Sequence, residues 1–473
     1  MRKTSLLVLL ILYCIPILYG LLYISTYAVN VPQWDPWSSV VPITISVYAG
    51  TFDISDIIKP YSDSRPIVSN IVLIPAAYLS HLDMKSIYFT GYFIFIAFIA
   101  IVFYIYGREE NFDFRTLILF LPLLCYMLNP YFLARFVHNT GSIYYPVMLL
   151  TALLTLIFLY RSKDSSCFFL LSLIMAVACS FSFAGGFAVW IAGFIQLLLQ
   201  KMKGKYEKFF TWIITAGAVF LTNYVILGFP KEGTHSTGAL FGFVNTVITY
   251  PFQKFLCFMG ALGAEIIHDR FRALFFGVLI IFCMIALFLN NQQKLEPDKY
   301  AIWYGLLAFG LLTSLLVTIV RSGSSVNGGS ADTIYFIPAV RHSLGIFLPL
   351  VCLYILAVIY TINSFKYNSS VTSDCSHPMN ILRQQKFINL FLLLMILAMV
   401  IGGFLLHIPL GIRQGEKNYS ERSTDEKILL NYSIATDDEL KRLFPNPGHI
   451  RVMASQLEKY NLSVFSQHNP AST

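Results

Sequence analysis

Long apolar runs separated by short polar turns dominate the chain. The runs are roughly 15–23 residues long and lack the strict alternation of β-strands, so each has about the length of a membrane-spanning helix. Because backbone groups in lipid must be hydrogen-bonded internally, this pattern predicts an all-α, polytopic bundle of transmembrane helices. The clearest spans lie at about 5–25, 86–106, 116–129, 143–160, 209–227, 271–289, 300–320, 343–362 and 387–407.

Two further apolar segments do not fit one straight span. Residues 167–200 would form a helix of ~51 Å against a ~30 Å hydrocarbon core, and the motif SFSFAGG at 180–186 predicts a break into two short helices. Residues 241–267 carry Pro251, Gln253 and Lys254 near their centre. An ionisable group there is unfavourable unless it lines a cavity, so we expect a re-entrant or interfacial helix. With each half of 167–200 counted as one span, the total is eleven spans, or twelve if 241–267 crosses the membrane. In the latter case every later segment lies on the opposite side of the membrane.

Composition supports a membrane protein and excludes several soluble classes. Hydrophobic residues make up 56% of the chain and charged residues 12%, against roughly 25% charged residues in soluble proteins. The net charge of +8 comes from Lys and Arg that cluster in short loops, which is the positive-inside pattern and not a nucleic-acid-binding stripe. The eight cysteines lack CxxC spacing, which favours apolar fillers over a disulfide or zinc framework.

The first apolar run sets the expected orientation and the domain division. Arg2 and Lys3 precede this run, which has no small-residue cleavage site, so we expect a retained signal anchor with a cytoplasmic N-terminus. Loop 26–85 then lies outside the plasma membrane, ordered against its surface. We divide the chain into a transmembrane domain, residues 1–407, and a small extracytoplasmic C-terminal segment, residues 408–473. In that segment Thr436 and Glu439 have the spacing of a helix capping box.

Candidate chemistry lies in three loops on the expected outer side. A carboxylate outside the bilayer can act as general base toward an acceptor hydroxyl, and a guanidinium at the membrane boundary can grip a phosphate in bidentate fashion. Together these groups suit transfer from a lipid-phosphate carrier. The residues concerned are Asp35, Asp63 and Arg65 in the first loop, Arg135 and His138 in the second, and Arg321 and Arg341 around a Gly/Ser-rich third.

The same residues also have structural interpretations. Asp35 beside two tryptophans fits a helix N-cap at the membrane interface, and Arg321 and Arg341 fit side chains that reach to lipid headgroups. Asp63 and Arg65 fit a surface ion pair worth about 0–1 kcal/mol. The sequence leaves both interpretations open.

A long first outer loop with an early acid and a short outer C-terminal part occur together with five motifs: Trp34-Asp35, residues 62–67 (SDSRPI), 180–186 with Trp190, Arg321 with Arg341, and the ending 443–465. In these features the chain resembles the GT-C membrane glycosyltransferases, and more narrowly a group of largely uncharacterised prokaryotic multi-span proteins of that type. The resemblance implies transfer of a sugar from a polyprenyl- or dolichyl-phosphate carrier at the outer face, with Asp35 as the first-loop acid and Lys254 as an added phosphate contact. The family often has paired acids here, whereas residue 36 is proline, so the sequence permits a divalent metal without requiring one.

Two other functions share part of this pattern. A transporter or flippase for lipid-linked saccharides tends to bury polar groups within its spans and to show two-fold repeats, and no repeat is visible here. A polymerase or ligase for lipid-linked chains shares the carrier and the arginines. In each case the partners are membrane lipid, a lipid-linked donor and a saccharide, lipid or protein acceptor, with no nucleic acid.

Overall fold

The computed structural model of the chain describes residues 3–60, 64–109, 112–137, 141–227, 251–267, 269–291, 296–321, 347–370 and 379–467. The regular elements in these ranges are helices, which confirms the all-α class. Short 3₁₀ turns occur at Asp35–Ser38 and Ala184–Phe187, and a π turn at Thr222–Ile226. The α-helices are α1 Lys3–Tyr27, α2 Val40–Tyr48, α3 Ser55–Ile58, α4 Ile67–Leu79, α5 Met84–Glu109, α6 Phe114–Met127, α7 Pro130–Phe136, α8 Gly141–Arg161, α9 Ser166–Ser180, α10 Ala188–Leu199, α11 Lys205–Leu221, α12 Pro251–Ala264, α13 Arg270–Asn291, α14 Ala301–Arg321, α15 Leu348–Ser370, α16 Met379–Leu430, α17 Asp437–Leu443, α18 Pro447–Lys459 and α19 Val464–Gln467.

Eight helices in the described ranges are long and apolar enough to cross a membrane, and nine if α6 and α7, bent by 48°, form one broken span. The chain is therefore a multi-pass helical membrane protein by helix length and hydropathy. The sequence count of eleven included α9 and α10 as separate spans. These helices have only 15 and 12 residues, which is shorter than the ~20 residues of a full span.

The predicted break within 167–200 is confirmed, and it is where the first loop docks. Helix α9 ends at Ser180, and α10 begins at Ala188 after a 3₁₀ turn. The backbone N–H of Val68 donates to the carbonyl of Phe181 at 2.9 Å, and the Ser69 hydroxyl donates to the carbonyl of Ser182 at 2.9 Å. The break thus exposes backbone carbonyls that α4 of the first loop satisfies. We call this end of the bundle the loop end.

Helices α12 and α13 form a close antiparallel hairpin. A Cβ added at Gly263 would lie 1.7 Å from the Ala273 carbonyl oxygen, and one added at Gly277 would lie 1.8 Å from the Met259 carbonyl oxygen. Only glycine permits this approach, because any side chain would overlap the facing backbone. The ambiguous segment 241–267 is described from residue 251 onward, and that part is the hairpin helix α12; residues 241–250 lie outside the described ranges.

A buried amide network ties α13, α15 and α16 together. The Asn389 side-chain amide donates to Asn291 Oδ1 at 3.1 Å and to Ser364 Oγ at 2.7 Å. Its oxygen accepts from the amides of Asn290 and Asn291 at 2.8 and 2.9 Å. Asn389 is fully buried, so every polar atom of its side chain is paired inside the bundle, as low-dielectric surroundings require.

An Asn389→Leu variant is expected to lose about 1–3 kcal/mol of unfolding free energy, because its partners stay buried without hydrogen bonds. The measurement is reversible unfolding in mixed micelles. The exposed Asn431, whose side-chain amide donates to the Lys427 carbonyl in the last turn of α16, gives the matched control Asn431→Leu, expected within about 0.5 kcal/mol of native. Equal effects of the two substitutions would show that the network does not stabilise the bundle.

Helix α16 continues from the membrane into the C-terminal segment. Its 52 residues make a rod of about 78 Å, more than twice the hydrocarbon thickness of a bilayer. The composition change after His407 therefore falls inside one continuous helix. Beyond α16, Thr436 and Glu439 form the predicted capping box at the start of α17.

Candidate functional site

Asp35 begins a 3₁₀ turn at the loop end, directly after a strained residue. Trp34 has φ 59° and ψ −111°, a conformation that costs a non-glycine residue on the order of 1–3 kcal/mol. The turn is fixed by the Trp37 indole, which donates to the Pro32 carbonyl at 2.9 Å, and by the Ser39 hydroxyl, which donates to the Asp35 carbonyl at 2.9 Å. Asp35 is half-buried, and no hydrogen bond or ion pair from the described residues reaches its carboxylate. The side chain does not act as the N-cap of this turn.

The first loop meets the C-terminal segment at Asp35. The Trp34 N–H donates to the Leu443 carbonyl at 2.8 Å. Asp425 of α16, whose side chain is 1% exposed, accepts from Gln33 Nε2 at 3.1 Å and from Arg442 Nε at 3.2 Å. We call this set of residues the Asp35 joint: Gln33, Trp34, Asp35, Asp425, Arg442 and Leu443. Three chain elements, the first loop, α16 and α17, are thereby joined at the residues that directly precede Asp35.

Two further contacts hold the Asp35 joint in place. The buried guanidinium of Arg422, one turn before Asp425 on α16, interacts electrostatically with Asp425 and Tyr88. A ring nitrogen of His449 on α18 lies 2.9 Å from the Trp37 carbonyl oxygen. The C-terminal segment therefore packs on the first loop through both α17 and α18.

Arg65 lies at the other anchor of the first loop, where it closes a helix end. Its guanidinium donates to the carbonyls of Asn223 and Leu227, both at 2.7 Å. These are the last carbonyls of α11 and its π turn, groups that have no partner within the helix itself. Burial lowers the pKa of the Arg65 guanidinium below its ordinary value. Asp63, and with it the predicted Asp63–Arg65 pair, lies outside the described residues.

The remaining sequence candidates are only partly described. Lys254 on α12 is buried, and its Nζ lies 3.5 Å from the Ile319 carbonyl oxygen. Ile319 is two residues from the end of α14 at Arg321, so Lys254 and the Arg321 backbone are neighbours. The Arg321 side chain, Arg341 and His138 lie outside the described residues.

A buried ion pair was missed by the sequence reasoning. Arg135 Nη1 lies 3.1 Å from Glu265 Oε1, and the two side chains are 2% and 5% exposed. The Tyr131 ring lies 5.0 Å from the Arg135 guanidinium and stacks on the His407 ring at a centroid distance of 5.1 Å. The signal was available, since Glu265 is an acid within an apolar segment and such residues need a partner.

The described residues contain no group of three or more His, Cys, Asp or Glu side chains placed to hold a metal ion. At the Asp35 joint the described carboxylates are Asp35 itself and Asp425, and Asp425 is already bonded to Gln33 and Arg442. The joint therefore contains one carboxylate, that of Asp35, without a hydrogen-bonding partner among the described residues, and one partly exposed guanidinium, that of Arg442.

Comparison with known proteins finds a relative in an archaeal protein. No family model and no solved structure matches the chain. An uncharacterized protein of Archaeoglobus fulgidus is 34% identical over 259 residues, which cover 54% of this chain and 60% of the archaeal protein. The chain thus matches less than two thirds of that relative's length. It is a multi-pass helical membrane protein with distant homology to this archaeal protein.

Proposed function

We propose that the chain is a GT-C-type glycosyltransferase that moves a sugar from a polyprenyl- or dolichyl-phosphate carrier to an acceptor at the outer membrane face. One observation carries the proposal: a strained tryptophan holds a half-buried carboxylate, without a partner among the described residues, where the first loop meets the C-terminal segment. Strained backbone concentrates at functional sites, and an uncommitted carboxylate is what a general base requires.

The proposed reaction is a displacement at the anomeric carbon. Asp35 accepts the proton of the acceptor hydroxyl while the acceptor oxygen bonds to the anomeric carbon. The bond from that carbon to the carrier phosphate oxygen breaks, and the phosphate leaves on the lipid. Because negative charge develops on the phosphate, a guanidinium placed there stabilises the transition state more than the ground state.

A transporter or flippase for lipid-linked saccharides is the second candidate, because of the Arg135–Glu265 pair. Both side chains are buried in the bundle, and buried ionisable groups are characteristic of transport pathways. The pair is fully matched in charge, however, and Tyr131 stacks over the guanidinium. We therefore rank it below the transferase.

The test is a donor-consumption assay with the purified chain in nanodiscs. Polyprenyl phosphates carrying tritiated glucose, galactose, mannose or arabinose are supplied one at a time, and label released from the lipid fraction is counted. The transferase proposal predicts release from at least one donor above that of heat-denatured protein. Movement of intact labelled lipid across vesicles, without release from any donor, would replace it with the transport proposal.

A further inference from the structure

Arg442 offers its two terminal NH2 groups, Nη1 and Nη2, at the Asp35 joint. It lies in the last turn of α17, and its Nε donates to Asp425 Oδ1 at 3.2 Å. The side chain is 47% exposed, and within the described ranges no hydrogen bond is made by Nη1 or Nη2. A guanidinium fixed through Nε presents its two Nη groups as a fork, the geometry that fits two oxygens of a phosphate.

The charged groups around Arg442 are of both signs. Buried Asp425 interacts electrostatically with the guanidiniums of Arg442 and Arg422 and with the Glu421 carboxylate. On α17, Asp437 pairs with Arg451, Asp438 pairs with Lys441, and Glu439 bonds to Thr436 in the capping box and also interacts electrostatically with Arg442. Within the described residues none of these acids accepts a hydrogen bond from the Nη groups of Arg442.

Arg442 and Asp35 flank a single backbone hydrogen bond. Leu443, the residue after Arg442, accepts from the N–H of Trp34, the residue before Asp35. Asp425 is bonded to both sides, through Gln33 and through Arg442. Neither Asp35 nor the Nη groups of Arg442 are used in an ion pair with each other in the described structure. The joint therefore carries one base and one anion-binding fork on residues that neighbour the same backbone hydrogen bond.

We propose that Arg442 binds the phosphate of a lipid-linked substrate at the Asp35 joint, a role that the sequence alone assigns to Arg321 and Arg341. The inference rests on the proposed function for its ligand class, a phosphate monoester or diester on a lipid. Asp425 holds the guanidinium in place and is a positioning residue. Binding of phosphate and transfer of sugar are separate events, so the two proposals can fail independently.

The experiment measures binding of farnesyl phosphate to the full chain in phosphatidylcholine nanodiscs, with farnesol and inorganic phosphate as separate ligands. The native chain is expected to bind farnesyl phosphate at least tenfold more tightly than farnesol, because only the former offers charged oxygens. Arg442→Gln keeps a donor for Asp425 and is expected to weaken farnesyl phosphate binding about tenfold or more, with farnesol binding unchanged. The matched control is Arg451→Gln, since Arg451 lies on the same segment with its Nη2 bonded to the Ala435 carbonyl at 2.8 Å.

Each outcome decides the proposal. Unchanged farnesyl phosphate binding in Arg442→Gln overturns it, and so does an equal loss in Arg451→Gln. Inorganic phosphate that binds as tightly as farnesyl phosphate overturns the lipid-linked part and leaves a free-phosphate site. If Arg442→Gln does not fold, Arg442→Lys, which keeps the charge without the fork, must bind severalfold more weakly than native. Arg442-dependent binding without sugar release from any donor would support this inference and count against the transferase.

Discussion

A Glu265→Leu variant is expected to lose about 3–5 kcal/mol of unfolding free energy, the cost of leaving one member of a buried ion pair without its partner. The remaining group, the Arg135 guanidinium, is 2% exposed and cannot reach water. The pair also fixes the α12–α13 turn to α7, so the loss falls on the packing of two separate parts of the bundle. Reversible unfolding in mixed micelles measures the change.

Two controls separate the buried pair from ordinary surface charge. The double variant Arg135→Met/Glu265→Leu replaces both charges with apolar side chains of similar size and is expected to recover most of the lost stability. Lys417→Gln removes the exposed cation of the Lys417–Glu421 pair, a change worth about 0–1 kcal/mol. A Glu265→Leu effect no larger than that of Lys417→Gln would contradict the buried ion pair.

An Asp35→Asn variant is expected to lower the turnover number for sugar transfer about 10²–10⁴-fold, the usual contribution of a positioned general base. The amide has almost the same shape as the carboxylate but does not accept the acceptor's proton. The Michaelis constant for the donor should change little, because the base acts on the acceptor in the transition state. Steady-state kinetics on nanodisc-reconstituted protein give both constants.

Asp53 supplies the matched control for Asp35, because it lies in the same loop, is exposed, and bonds to the Ser55 N–H at 2.7 Å. Asp53→Asn is expected to leave the turnover number unchanged. Equal turnover in native, Asp35→Asn and Asp53→Asn proteins would remove Asp35 from the chemistry while leaving a transferase in place. A fall in both variants would point to the fold of the loop instead.

The membrane architecture could be predicted from the sequence, because few backbone structures can span a lipid bilayer. An apolar run must become a helix to pair its backbone, so span positions follow from run lengths. The break at 180–186 and the capping box at Thr436 were readable for a similar reason, since both depend on residues close together in the chain. The polar loop around Asp35 was recognised by its place between two apolar runs.

The partners of the site residues were not readable, because they lie far apart in sequence. Gln33 and Asp425 are 392 positions apart, and Arg135 and Glu265 are 130 apart. No local pattern reports such pairs. Arg65 shows the same limit: its residue type suggested phosphate binding, but its hydrogen bonds to the carbonyls at the end of α11 could not be predicted. Arg442 was not identified from the sequence, because nothing in its local sequence distinguishes it from other charged residues of a polar segment.

The most direct test of the central claim is to locate a donor analogue relative to Asp35. A non-transferable phosphonate analogue of a polyprenyl-phosphate sugar, bound to the full chain in nanodiscs, is suited to structure determination by electron cryomicroscopy. We expect the anomeric carbon about 6 Å from the Asp35 carboxylate, the sum of an attack distance and a hydrogen bond of about 3 Å each, with the phosphonate at Arg442. An analogue whose anomeric carbon lies beyond about 15 Å from Asp35 would contradict the account, because base and leaving group must meet one substrate.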